Sequence, residues 1–188
     1  MNLYSFDKGK MSAQKILSST AAQKVWDFFC QNSFESFFSA QVAEKNFLSK
    51  GGTNQILRDM ARRGLLLSEK KGRMIFYRVD SASPLARQFK VLRNVAAADE
   101  IIKKAKTWSE RIILFGSCAR GEDTTESDID ILIVTRDKDA PAKLVPSAKS
   151  GRRIQLVVKS PQEYVALEAK EPIFFQEVQR GIVLWEKK

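Results

Sequence analysis

The stretch Arg111-Ile112-Ile113-Leu114-Phe115-Gly116-Ser117-Cys118-Ala119-Arg120-Gly121, followed by Ser127-Asp128-Ile129-Asp130-Ile131-Leu132-Ile133-Val134, decides the fold of the C-terminal half. Arg111 to Phe115 is a short apolar run that stops at a glycine, the pattern of a buried strand. Ile129 to Val134 is a second such run, with Asp128 at its mouth and Asp130 within it. The residues between them read as a helical turn and a loop, in which Glu122, Asp123 and Glu126 are expected to face solvent. Side chains alternate along a strand, so Asp128 and Asp130 point to the same side. Two carboxylates so placed make an oxygen site suited to Mg²⁺.

Gly116-Ser117, ten intervening residues and Asp128-x-Asp130, with each half attached to an apolar strand, closely resemble the minimal nucleotidyltransferases of the polymerase-beta superfamily. The resemblance implies an NTP as substrate or ligand, with Gly116, Ser117 and Arg120 on its phosphates. It also implies two Mg²⁺ ions held by Asp128 and Asp130 as catalytic and metal residues. The reaction would be transfer of a nucleoside monophosphate to a hydroxyl, with pyrophosphate leaving. The physics suits these residues. Glycine lets the backbone approach a triphosphate, and a hydroxyl and amide at a turn into a helix favour an anion. Active members bring a third carboxylate from a later strand. Here the matching run, Arg153-Ile154-Gln155-Leu156-Val157-Val158, puts Gln155 in that slot. An amide can offer a metal its carbonyl oxygen but cannot accept the acceptor's proton. Glu163 on the next helix is an alternative that no spacing recommends.

The other half of the chain is basic. Residues 1–100 carry sixteen Lys and Arg against nine Asp and Glu, and Lys45 to Arg93 carries twelve against three. Helices are expected over Ala21–Gln31, capped from Ser18, Ser19 or Thr20, over Phe37–Lys45, and over Asn54–Arg63 after a Gly51-Gly52-Thr53 turn and cap. Gly64 fits a C-terminal cap, and Leu65–Leu67 and Met74–Val79 read as strands around a basic turn. This order resembles the winged helix-turn-helix of arsenic-repressor-type regulators. By that resemblance Thr53, Asn54, Gln55 and Arg58 face DNA, while Lys70, Lys71 and Arg73 of the wing sit on phosphates. Pro84 opens a linking helical region that runs to Lys106, with Leu85, Phe89, Leu92, Val95 and Ala96 as its apolar stripe. A homodimer through that region is a fair expectation, as is packing on its own domain alone.

The expected fold class is α+β: a winged helix-turn-helix at 12–83, a linking helix at 84–106 and a nucleotidyltransferase-type α/β domain with a mixed sheet at 107–188. Two cysteines and no histidine exclude a disulfide framework, a Cys/His zinc site and histidine acid–base catalysis. No apolar run reaches membrane-span length and Met1–Lys10 lacks a signal peptide's core, so no membrane partner and a cytoplasmic location are expected. The tail, from Ser160-Pro161-Gln162-Glu163-Tyr164 to Val183-Leu184-Trp185, extends the resemblance to prokaryotic proteins that fuse the two domains. Three functions stay open: a working transferase, a degenerate nucleotide-sensing transcriptional regulator, and an antitoxin-like protein whose partner is a toxin or other acceptor.

Overall fold

A computed structural model describes residues 20–137, 139–140, 144 and 152–187. Ser18, Ser19 and the expected domain start at residue 12 lie outside them. The first described element is α1 (Ala21–Gln31), which begins where Thr20 can cap it. The Thr20 hydroxyl accepts from the Gln23 amide at 3.2 Å, and the Gln23 side chain accepts from the Thr20 amide at 3.0 Å, a reciprocal pairing of two otherwise orphaned donors. Val25, Trp26, Phe29 and Cys30 form its buried stripe.

Phe37 and Phe38 are not helical as expected but form a short strand, β1, ahead of α2 (Ser39–Lys45). Pairing decides this: Phe37 lies opposite Tyr77 and Phe38 opposite Phe76. Next, α3 (Lys50–Arg62) starts four residues earlier than the glycines suggest, because Ser49 is the cap and accepts from the Gly52 amide at 3.3 Å. Gly51 and Gly52 therefore lie inside the helix. A hairpin follows, β2 (Leu67–Lys71) and β3 (Met74–Arg78), whose tight turn holds Gly72 at φ 62°. The expected basic turn is shorter than read, since Ser68 to Lys71 pair with β3. The three strands form an antiparallel sheet in the order β1-β3-β2.

The linking region is a single helix, α4 (Pro84–Ala105), with proline in its first turn, where a missing amide costs nothing. Its inward face is only partly the expected stripe: Phe89 and Val95 pack inward, and the two leucines do not. Leu85 and Leu92 are about half exposed, while Ala86, Lys90, Arg93, Asn94, Ala98, Ile101 and Ala105 are buried. Ala86 and Phe89 close the N-terminal core, and Ala98, Ile101 and Ala105 enter the C-terminal one. The polar residues of the middle turns lie between the two.

Beyond α4 come β4 (Arg111–Phe115), α5 (Gly116–Arg120), β5 (Ile129–Val134) and β6 (Ile154–Lys159). They are followed by α6 (Pro161–Val165), α7 (Leu167–Lys170), α8 (Pro172–Gln179) and β7 (Ile182–Glu186). The sheet order is β6-β5-β4-β7, parallel between β5 and β6 and antiparallel elsewhere, the mixed sheet expected. Ile112, Leu114, Ile129, Ile131 and Ile133 pack under α4 and α5. Ile113, Phe115, Leu132 and Val134 pack under Val178 and Phe174 of α8. Among the described residues, no helix is long and apolar enough to cross a membrane.

Gly121, at φ 67°, ends α5 directly against α4. A β-carbon there would stand 2.2 Å from the Arg87 carbonyl oxygen. Gly121→Ala combines that backbone clash with a left-handed conformation costing about 1–2 kcal/mol. The expected result is a fall in Tm, whereas Gly51→Ala, inside α3 with nothing against its β-carbon, is expected to leave Tm unchanged or raise it.

Candidate metal and nucleotide site

The ladder pairing brings the site together. Phe115 lies opposite Asp130 across β4 and β5, and Asp130 lies opposite Gln155 across β5 and β6. Asp130 is in phase with Leu132 and Val134, so it lies on the α8 side of the sheet, beyond the end of the apolar layer. Gln155 is exposed beside it, in the slot where the resemblance led one to expect a third carboxylate. Gly116 explains itself here: it sits at φ 68°, and a β-carbon would stand 2.6 Å from Asp130 Oδ2. The glycine thus leaves room for a carboxylate of its own site.

Among the described residues, neither Asp128 nor Asp130 is held by a hydrogen bond or ion pair from a protein side chain. Burial pushes the Asp130 carboxyl above the usual carboxylate range and the nearby Asp128 charge pushes it further, with Arg152 opposing both. Two unpartnered like charges, both part-buried, are the donor set a divalent cation relieves. The residues therefore fit Mg²⁺. Among the described residues there is no cluster of three or more Cys, Asp or Glu side chains, so the remaining donor from the chain would be the Gln155 amide oxygen. Glu163 is engaged elsewhere, its carboxylate accepting from the Ser160 amide at 2.7 Å in the cap of α6.

The Ser117 carbonyl accepts from the Glu122 amide at 3.0 Å, while its hydroxyl has no partner among the described residues. Arg120 departs from expectation. It is shared by two carboxylates, Glu122 at 2.8 Å and Glu177 of α8 at 2.6 Å, and so ties α5 to α8 in this structure instead of standing free for a phosphate. Asp123 departs further. Expected in solvent, it is 1% exposed and paired with Arg152 at 3.0 Å.

That pair anchors the loop before Asp128. Asn94 of α4 donates to Asp123 Oδ1 and to the Cys118 carbonyl, both at 3.0 Å, and Lys90 donates to the Asp123 carbonyl. Burial lowers the Lys90 ammonium, with Asp123 opposing. Burial raises the Cys118 thiol, so its S–H stays on to donate to the Asp128 carbonyl at 3.1 Å. Sequence reading missed Lys90, Asn94 and Arg152. One signal was present for Arg152, which falls in phase with Ile154 and Leu156 on the inward side of β6.

In the N-terminal unit, Thr53 is fully buried under α3 and cannot face a ligand, because the earlier helix start turns it toward Leu57 and Met60. Gln55 and Arg58 are exposed and Asn54 is half-buried, while Gln55 reaches Asp59 at 3.1 Å. Lys70, Lys71 and Arg73 are exposed, Lys71 pairing with Glu69 at 3.1 Å.

Residues 98–188 match the family described as polymerase beta, nucleotidyltransferase. The match gives the C-terminal part as a nucleotidyltransferase domain and does not extend to the N-terminal unit. No curated protein matches the chain. The chain is similar to human N-acetylserotonin methyltransferase in complex with SAM at 19% identity and TM-score 0.30, over 53% of this chain and 36% of that one, too slight a likeness to bear on fold or function.

The raised Asp130 carboxyl gives a pH-dependent outcome. Its folded pKa lies above the unfolded one, so its charge opposes folding at neutral pH, and that opposition fades as acid protonates it. Asp130→Asn is expected to be at least as stable as the parent toward urea at neutral pH without divalent ions, with the advantage shrinking in mild acid. A variant less stable at neutral pH would show that Asp130 has a stabilising partner.

Proposed function

We propose that the C-terminal domain binds an NTP with Mg²⁺ at Asp128 and Asp130 and transfers its nucleoside monophosphate to a hydroxyl acceptor. The observation that carries this is the pair of carboxylates, Asp128 and Asp130, that no described side chain claims, with Gly116 leaving out the β-carbon that would stand against Asp130. The family match supports the reaction class. In this proposal Gly116 and Ser117 hold the phosphates, which the room at Gly116 and the unengaged Ser117 hydroxyl support. Bound Mg²⁺ would neutralise charge on the phosphates. The acceptor oxygen forms a bond to the α-phosphorus as the bond to the pyrophosphate oxygen breaks. Gln155 cannot take the acceptor's proton, which leaves to water or to an oxygen of the nucleotide. That makes turnover slow, and a nucleotide-responsive regulator is the second reading that Gln155 favours.

The N-terminal unit is a winged helix-turn-helix in this proposal, with α3 toward the major groove and the β2–β3 hairpin along the backbone. Its element order, the excess of basic residues from Lys45 to Arg93, and the exposed Gln55, Arg58, Lys70, Lys71 and Arg73 support this. Leu85 and Leu92, exposed along α4, support a homodimer through that helix. The acceptor, a toxin or another molecule, is identified only as a hydroxyl.

Calorimetric titration with ATP is expected to show binding that requires Mg²⁺ and is abolished by the Asp128→Asn, Asp130→Asn pair without unfolding. Unchanged affinity in that variant rejects the site. Gln155→Asp supplies the missing base and is expected to raise pyrophosphate release by about 100-fold. No rise would mean that the proton is not what limits turnover.

Duplex DNA affinity is expected to fall steeply as salt rises, with Lys70→Ala and Lys71→Ala together flattening the slope by roughly two phosphate contacts. Binding indifferent to salt would remove the winged-helix reading and leave the C-terminal site untouched.

A further inference from the structure

Arg152 is 9% exposed and sits two residues ahead of β6. Its guanidinium reaches three separate parts of the fold. Nε and Nη2 both donate to the Ser127 carbonyl, at 3.0 and 2.8 Å. Nη1 donates to Asn94 Oδ1 at 2.9 Å and Asp123 Oδ2 at 3.0 Å, and Nη2 also reaches Cys118 Sγ at 3.1 Å. Ser127 immediately precedes Asp128, and Cys118 in turn donates to the Asp128 carbonyl. Both carbonyls that flank the Asp128 α-carbon are therefore held, directly or through one thiol, by this one side chain. A planar fork with five donors can serve these partners together, which an ammonium cannot.

We propose that Arg152 is the positioning residue for Asp128, setting that carboxylate beside Asp130 by clamping Ser127 and Cys118 against Asp123 and Asn94. The proposal rests on the reading of Asp128 and Asp130 as the metal site. Arg152 makes no hydrogen bond or ion pair to the Asp128 or Asp130 carboxylate and acts on Asp128 through the backbone. A merely structural arginine would loosen everything around it when replaced. A positioning arginine loosens one loop and weakens metal binding in a protein that stays folded.

The test compares the full chain with Arg152→Lys, which keeps the charge and loses the fork. Three readouts are taken: Tm, amide hydrogen exchange, and affinity for Mn²⁺ alone by electron paramagnetic resonance. The expected result is a folded protein with faster exchange across residues 121–130, unchanged protection in β4, and Mn²⁺ affinity lower by about tenfold or more, as for other groups that orient metal ligands. Asn94→Ala, which removes one acceptor of Arg152, is expected to give the same pattern at smaller size. It decides the question if Arg152→Lys does not fold. Parent-like exchange and affinity in the folded variant overturn the proposal, as does loosening spread equally over β4 and α4. If the parent protein itself binds no Mn²⁺, the metal-site reading fails, and exchange at 121–130 alone decides whether Arg152 positions the loop.

Discussion

The Arg152–Asp123 ion pair is the constraint on which the arrangement of the loop before Asp128 depends. Both side chains are withdrawn from water, and a buried pair is tolerable only when the remaining donors and lone pairs are also met. Here they are met from three directions: Asn94 and Lys90 on α4, the Ser127 carbonyl in the loop, and the Cys118 sulfur on α5. Removing any member would leave a charge or an amide stranded among apolar neighbours. The network thus ties helix, loop and strand together, and it specifies one arrangement of the loop between them.

What it arranges is an electrostatic conflict. Among the described residues Asp128 and Asp130 are brought together without a protein cation in hydrogen-bond contact, and burial, with the Asp128 charge adding to it, pushes the Asp130 carboxyl above the usual carboxylate range. A fold that stabilises a loop through one buried cation while leaving two nearby carboxylates unpaired has separated support from chemistry. Gly116 shows the same division at the backbone, since its missing side chain is the space the Asp130 carboxylate uses.

Where local sequence settles structure, the reading and the fold agree. α1 begins at the expected residue because its cap and its stripe are neighbours in sequence, and β4 and β5 are found because an apolar run needs no knowledge of its partner. The candidate site could be proposed from sequence for the same reason: Gly116, Ser117, Asp128 and Asp130 lie within fifteen residues. The failures concern residues whose partners are distant. Phe37 and Phe38 look helical until β3 is beside them. Thr53 looks like a cap until Ser49 takes that role one turn earlier. Asp123 looks like one acid among several in a polar loop, and only Arg152, 29 residues on, makes it a core residue. In α4, the leucines suggested one inward face, and the committed hydrogen bonds of Lys90 and Asn94 selected another.

The position of α4 also bears on how such a protein can be taken apart by evolution. The family match begins at residue 98, but Asn94 and Lys90, which complete the buried network, lie before it, and the backbone of Arg87 lies against Gly121. The inherited unit and the physical unit do not share a boundary. Recombination that kept only the recognisable family segment would deliver the strands and the carboxylates without the residues that seat them. A grafted transferase domain of this kind has to bring its linking helix with it, and that helix carries the surface on which the N-terminal unit closes its own core.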